Sequence, residues 1–134
     1  MSVHGKGVGI HVEKKFVWKD YPKNRDLLFT YAVQSITDLG YNLVKMDKES
    51  GLISFETGMS YWSWGGQNMS IVFIDMEEIT QVRVSGIMKQ TGFFTQLYDW
   101  GESKKIGKKI LEAIDEKILK EQLRHHGARE AKEG

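Results

Sequence analysis

Between Asn24 and Leu39 the apolar residues Leu28, Tyr31, Ala32, Ile36 and Leu39 recur at intervals of three and four, with Ser35 on the same line. That interval is the period of an α-helix and gathers the side chains on one buried face. Asn24 stands before the run as an N-cap, Asp26 puts a negative charge in the first turn, where the helix dipole favours it, and Gly40 offers the left-handed conformation that stops a helix. From Tyr41 the period changes to two. Tyr41, Leu43 and Lys45 fall on one side of an extended chain and Asn42, Val44 and Met46 on the other; residues 47–51 read as a turn and 52–57 as the returning strand of a hairpin. A second hairpin runs through residues 69–75 and 79–88 about Met76, Glu77 and Glu78. In its last strand Thr80, Val82, Val84, Gly86 and Met88 alternate with Gln81, Arg83, Ser85 and Ile87, so one face meets a core and the other is largely solvated.

The flanks are less regular. In residues 8–18 the apolar positions Val8, Ile10, Val12, Phe16 and Trp18 are broken by Glu13, Lys14 and Lys15, which reads as an irregular strand or extended arm ending in a turn at Tyr21 and Pro22. Residues 91–100 are apolar without a period: Phe93, Phe94, Leu97, Tyr98 and Trp100 lie between Gly92 and Gly101 and are expected to fold over one end of the sheet. Asp99 and Glu102 have the form of a capping box for a second helix that runs to Leu123, with Ile106, Ile110, Ala113, Ile114, Ile118 and Leu123 inward and Gly127 closing it. The expectation is an α+β fold, α-β-β-β-β-α, with a four-stranded antiparallel sheet and both helices on one face. Residues 1–23 form an arm with room to add a strand, 24–124 a single domain, and 125–134 a disordered charged tail.

That layout is shared by helix-grip and TATA-binding-protein-like domains. The stretch from Leu27 to Leu123, with Asp38-Leu39-Gly40-Tyr41, the turn at 47–51 and Ile53-Ser54-Phe55, resembles small bacterial domains of this kind, including those of outer-membrane assembly lipoproteins. It differs from the lipoproteins in lacking their lipidation cysteine. The resemblance implies a binding or assembly role and carries no specific functional residue across.

Composition narrows the function classes. A chain of 134 residues suits one domain, its 40% apolar and 28% charged residues are ordinary for a globular protein, and no stretch approaches the roughly 18 apolar residues of a membrane span. With 19 basic and 18 acidic residues the net charge is +1, so any electrostatic argument must be local. The absence of cysteine excludes disulfides, thiolate metal sites and a cysteine nucleophile, and agrees with a reducing compartment. Residues 1–10 are polar and glycine-rich, without the apolar core of a signal peptide. The chain as given is therefore expected in the cytoplasm, or outside it if a targeting segment has been trimmed away.

No catalytic constellation stands out. His4 and His11 are near the start, and His125 and His126 are neighbours on a helix, about 100° apart, where one metal is better served by residues three or four apart. No Gly-x-Ser-x-Gly elbow is present, Ser60 and Ser63 have no histidine close in sequence, and Glu77-Glu78 sits in a turn where both carboxylates meet water. Gly5-x-Gly7-x-Gly9 does not match the dinucleotide fingerprint. The expectation is a protein that is not an enzyme, with no cofactor and no metal.

Two surfaces carry the candidate function. Tyr61, Trp62, Trp64 and Gln67 lie in a segment that holds half of the four tryptophans, beside Gly65 and Gly66. Burying one tryptophan removes roughly 200 Å² from water, worth about 4 to 5 kcal/mol, so a covered hairpin and an exposed aromatic surface both stay open. Phe93, Phe94, Tyr98 and Trp100 would complete such a surface if they lie at the same end of the sheet. The second is Lys104, Lys105, Lys108 and Lys109, two cationic ridges at the start of the last helix that oppose its dipole. Acidic residues interleave on the same helix, the usual pattern of a solvated face. The preferred expectation is a non-catalytic binding or assembly module that engages a protein partner, or its own twin, through the aromatic hairpin. A weak nucleic-acid binder using the lysine ridge comes second, and a small-molecule or lipid carrier with a cavity between sheet and helices third.

Overall fold

Of the six strands in the main sheet, two come from the N-terminal arm. The computed structural model describes residues 9–58, 67–87, 90–91, 94–95 and 100–133. Strands β1 (His11–Val12) and β2 (Phe16–Pro22) precede helix α1 (Arg25–Asp38), and β3 (Asn42–Asp47), β4 (Leu52–Glu56), β5 (Asn68–Asp75) and β6 (Ile79–Ile87) follow. The two-residue strands β7 (Gln90–Thr91) and β8 (Phe94–Thr95) pair with each other, and helix α2 spans Trp100–Glu133. The sheet is antiparallel throughout, in the order β1-β2-β6-β5-β4-β3. The expected α+β class and antiparallel sheet are present, with six strands in place of four.

The arm corrects the sequence reading in strand length as well as in number. An irregular strand or extended arm was expected over residues 8–18, with Phe16 and Trp18 among its apolar positions, followed by a turn at Tyr21 and Pro22. Instead β2 continues through Pro22, which pairs with Ile79, and its buried positions are Val17 and Tyr21. Lys19 shares their face, a position that looks forbidden until α2 is in place: Lys19 Nζ lies 2.7 Å from Asp115 Oδ2, and Tyr21 Oη donates to Asp115 Oδ1 at 2.9 Å. The compensating charge is supplied from 96 residues away, beyond the reach of any local pattern. The expected alternation changes frame in β3, where a bulge between Leu43 and Lys45 sets Leu43 opposite Phe55 but Met46 opposite Ile53. Leu43 and Met46 therefore share a face, and Lys45 pairs with Ser54 on the other.

Both helices pack on one face of this sheet. Phe29 of α1 meets Phe73 with ring centroids 5.4 Å apart, while Gly107 of α2 lies against Val17 and Val84, and Phe73, Val82 and Val84 are on the same side. The core between them is built from Ile53, Phe55, Met69 and Ile71 of the sheet with Ile36, Ile110, Leu111 and Ile114 of the helices, all essentially without solvent exposure. Asn24 caps α1 by accepting from the Leu27 N–H, and Gly40 follows with φ of 81°, as the pattern requires. Arg25, at the start of α1, donates to the carbonyls of Lys48 and Glu49 and lies 3.9 Å from Asp75, tying the helix to two turns.

Helix α2 runs through Gly127 to Glu133 rather than ending at Gly127, and the tail expected to be disordered is helical over residues 125–133. Glycine inside a helix costs about 1 kcal/mol relative to alanine, which weakens a helix without stopping it when no turn is imposed. Leu123, expected inward, is 61% exposed: Ile118 still packs on the core, and the helix then passes beyond it. No described helix is long and apolar enough to cross a membrane.

Candidate binding face of the sheet

The face opposite the helices is not covered by any described element. Strand registers lay its side chains out in rows. Trp18, Arg83, Val72 and Leu52 form one row across β2, β6, β5 and β4; Phe16, Ser85, Ser70 and Ser54 form the next. In β5 the run Ile71-Val72-Phe73-Ile74 is apolar on both faces, the signature of a strand meant to be covered on both sides. Only Ile71 and Phe73 reach the core beneath the helices; Val72 and Ile74 remain half-exposed on the open face.

Arg83 is the centre of that face and is held in place. Its Nε donates to Gln81 Oε1 at 2.6 Å, and Gln81 Nε2 in turn donates to Asp20 Oδ1 at 2.9 Å. Gln81 is only 7% exposed, so its amide is oriented by these two partners rather than by water. The guanidinium lies over the Phe16 ring, 5.0 Å from its centroid, within the range of a cation–π contact. Beside it Trp18 stacks on His11 at 4.1 Å with an interplanar angle of 12°, and the Trp18 indole N–H donates to Glu13 Oε2 at 2.9 Å. Nearby acids are thus engaged, while the Nη groups of Arg83 make no hydrogen bond among the described residues. A groove of about 480 Å³ opens here, lined by Lys15, Phe16, Val72, Ile74, Arg83 and Ser85. A second depression, of about 230 Å³, lies between Val44, Ser54, Glu56, Asn68 and Ile87.

No known family model matches this sequence, and no curated protein does either.

The residues singled out from sequence fall differently. Tyr61, Trp62, Trp64, Phe93 and Tyr98 lie outside the described residues; Phe94 is in β8, and Trp100 begins α2. Gln67 is well placed: its backbone N–H donates to Thr57 Oγ1, its carbonyl accepts from the Thr57 N–H, and its Oε1 accepts from Ser103 Oγ at 3.0 Å. That last bond joins the base of the β4–β5 connection to the first turns of α2. Since Asn68 also pairs with Ile87, the connections 57–67 and 88–99 leave the sheet at the same end. Tyr41 is at this end too, stacked on Phe55, its phenol pushed up by burial and by the Glu102 carboxylate.

Lys105, Lys108 and Lys109 are exposed and Lys104 half-buried, on the solvent side of a helix whose inner line is Ile106, Gly107 and Ile110. They stand on the layer opposite the open sheet face. His125 pairs with Glu121 at 3.1 Å, His11 is in the stack with Trp18, and no group of three metal-binding side chains converges among the described residues. Sequence reasoning missed Phe16, Trp18, Asp20, Val72 and Ile74 as surface residues. The signal for Val72 and Ile74 was available in the doubly apolar run of β5; for Phe16 and Trp18 the frame of β2 hid it.

Proposed function

We propose that this protein is a non-catalytic binding or assembly module that engages a protein partner, with the open face of the sheet as its receiving surface and the aromatic-rich end beside it. The observation that carries the reading is the groove around Arg83. A sheet face bearing Phe16, Trp18, Val72 and Ile74 leaves apolar area in water, and covering it by a partner is the favourable resolution. The Asp20–Gln81–Arg83 relay adds a preorganised cation, an anchor of the type that dominates interface energetics. The strand ends at Asn68 and Ile87, from which the aromatic segments of the sequence depart, are paired at one end of the sheet, and this supports those segments as part of the same surface.

The test is photo-crosslinking in cells that produce the protein, with a benzophenone side chain placed at Ser85 in the groove or at Glu112 on the outside of α2. A discrete protein adduct is expected from position 85 and none from 112, and Ile74→Asp, which puts a charge on the groove floor without touching the core, should abolish it. Equal adduct patterns from both positions would remove the sheet face as the binding surface.

A further inference from the structure

Resting on that reading, we infer that the open face receives an extended peptide segment of about six residues, laid across the strands, with an acidic side chain anchored at Arg83. The shape comes from one row of side chains. Ser85, Ser70 and Ser54 are in direct register on three neighbouring strands, and Ser70 Oγ and Ser85 Oγ lie 3.4 Å apart. Small residues in line make a trough, walled on one side by Arg83 and Val72 and on the other by Ile87 and Asn68. The two depressions lie at its ends, the larger against Phe16 and Arg83 and the smaller against Val44 and Glu56. From β2 to β3 the trough crosses four strand spacings, about 19 Å at roughly 4.8 Å each, which an extended chain covers with about six residues.

The chemistry of the trough selects the occupant. At one end Arg83 is fixed by Gln81 and Phe16 with its Nη groups unbonded among the described residues, and Lys15 stands at the rim, so a carboxylate fits there. Val72 and Ile74 beside Arg83 accept an apolar side chain from a neighbouring position of the same segment. Along the middle, serine hydroxyls supply hydrogen-bond partners for backbone amides, and the far end holds Glu56 and the amide of Asn68. A fatty acid satisfies Arg83 but would lay its alkyl chain over hydroxyls and end it against a carboxylate, losing those groups' hydration for nothing in return. A compact small molecule would fill one depression and leave the other. The peptide backbone is the ligand chemistry that suits an elongated, polar-floored trough with one cationic end.

The experiment is selection of a phage-displayed random heptapeptide library on the full chain, counter-selected on Ser70→Leu, which fills the trough from the solvent side. Synthetic versions of the enriched clones are then measured by fluorescence anisotropy, with laurate as the competing lipid probe and urea midpoints checking that each variant folds. The expected result is enrichment of sequences pairing Asp or Glu with an apolar residue, binding lost in Ser70→Leu and weakened about tenfold by Arg83→Gln, the worth of one charge-assisted hydrogen-bonded contact. Changing the acid of the peptide to its amide should cost the same factor in the wild type and nothing further in Arg83→Gln. No enrichment, enrichment indifferent to both substitutions, or laurate bound in preference to every peptide would overturn the inference. If any of these occurs while the Ser85 crosslink persists, the partner-binding reading stands and only the extended acidic segment is refuted; loss of the crosslink removes the reading itself.

Discussion

Alanine at Gly107 sets helix propensity against packing, and the structure decides the sign. An interior helical glycine replaced by alanine ordinarily gains about 1 kcal/mol. At Gly107 the new Cβ would stand 2.6 Å from Val17 Cγ2 and 3.5 Å from Val84 Cβ. Val17 and Val84 are both fully buried and in direct register on β2 and β6. A valine has one strongly preferred rotamer and two methyls, so turning one away drives the other into a neighbour. Overpacking of this sort costs roughly 1 to 3 kcal/mol, which outweighs the propensity gain and leaves a net loss of about 1 kcal/mol, or roughly 4 °C in Tm. Val17→Ala removes the clashing atom at a cost of about 2 kcal/mol of its own, within what a domain of this size tolerates. On that background Gly107→Ala should turn stabilising by up to about 1 kcal/mol. Urea titrations of the wild type, both single variants and the double variant, followed by far-UV circular dichroism, give the cycle. A raised midpoint for Gly107→Ala in the wild type, or the same sign in both backgrounds, would refute the close seating of α2 on β2.

Other outcomes follow from the same contacts. Burial, then the Asp115 charge, pushes the Tyr21 phenol far above its ordinary value of 10.0, so its contribution to stability is complete below pH 10 and is lost as the pH rises beyond it. Phenolate absorbance should therefore show a step that coincides with alkaline unfolding and is smaller by one phenol in Tyr21→Phe; one phenol titrating in the folded protein and removed by that substitution would contradict the burial. The Asp47 carboxyl is held below its ordinary 3.8 by the backbone N–H and then the side chain of Ser50. Its contribution is present above that value and fades as the pH falls through the lowered one, so Asp47→Asn should flatten part of the acid limb of a stability profile, and an unchanged limb would count against it. Gly51 and Gly40 both have positive φ, but a Cβ at Gly51 would also meet the Phe73 carbonyl oxygen at 2.9 Å while one at Gly40 meets nothing. Gly40→Ala should cost about 1 to 2 kcal/mol and Gly51→Ala clearly more in the same urea assay; equal losses would show that the turn yields.

Local signals were enough for part of this protein. The N-cap at Asn24, the apolar line from Leu28 to Ile36 and the stop at Gly40 are written within one stretch of chain, because a helix makes its bonds among near neighbours. Met76-Glu77-Glu78 between the apolar run of β5 and the alternating run of β6 marked the β5–β6 turn for the same reason, and the solvent-side placement of Arg83 and Ser85 came with it. Whether strands continue, and which of their faces looks inward, depends on partners that sequence distance hides. The lysine at position 19 is tolerable on an inner face only because Asp115 arrives on α2, so no local pattern marks Val17, Lys19 and Tyr21 as the inner face of β2 and Phe16 and Trp18 as the open one. Val44 moves a strand out of phase by bulging, an event with no compositional mark. The row Ser85-Ser70-Ser54 exists only as a product of register, since each serine belongs to a different strand and a slip of one residue would scatter them between faces. The sequence by itself determined helix α1, the inner line of α2 from Ile106 to Ile118, the turns between β3 and β4 and between β5 and β6, and the class of the fold, because those rest on neighbours along the chain; tertiary structure alone decided which face of the sheet is open and what it presents, because that rests on contacts between strands and helices far apart in sequence.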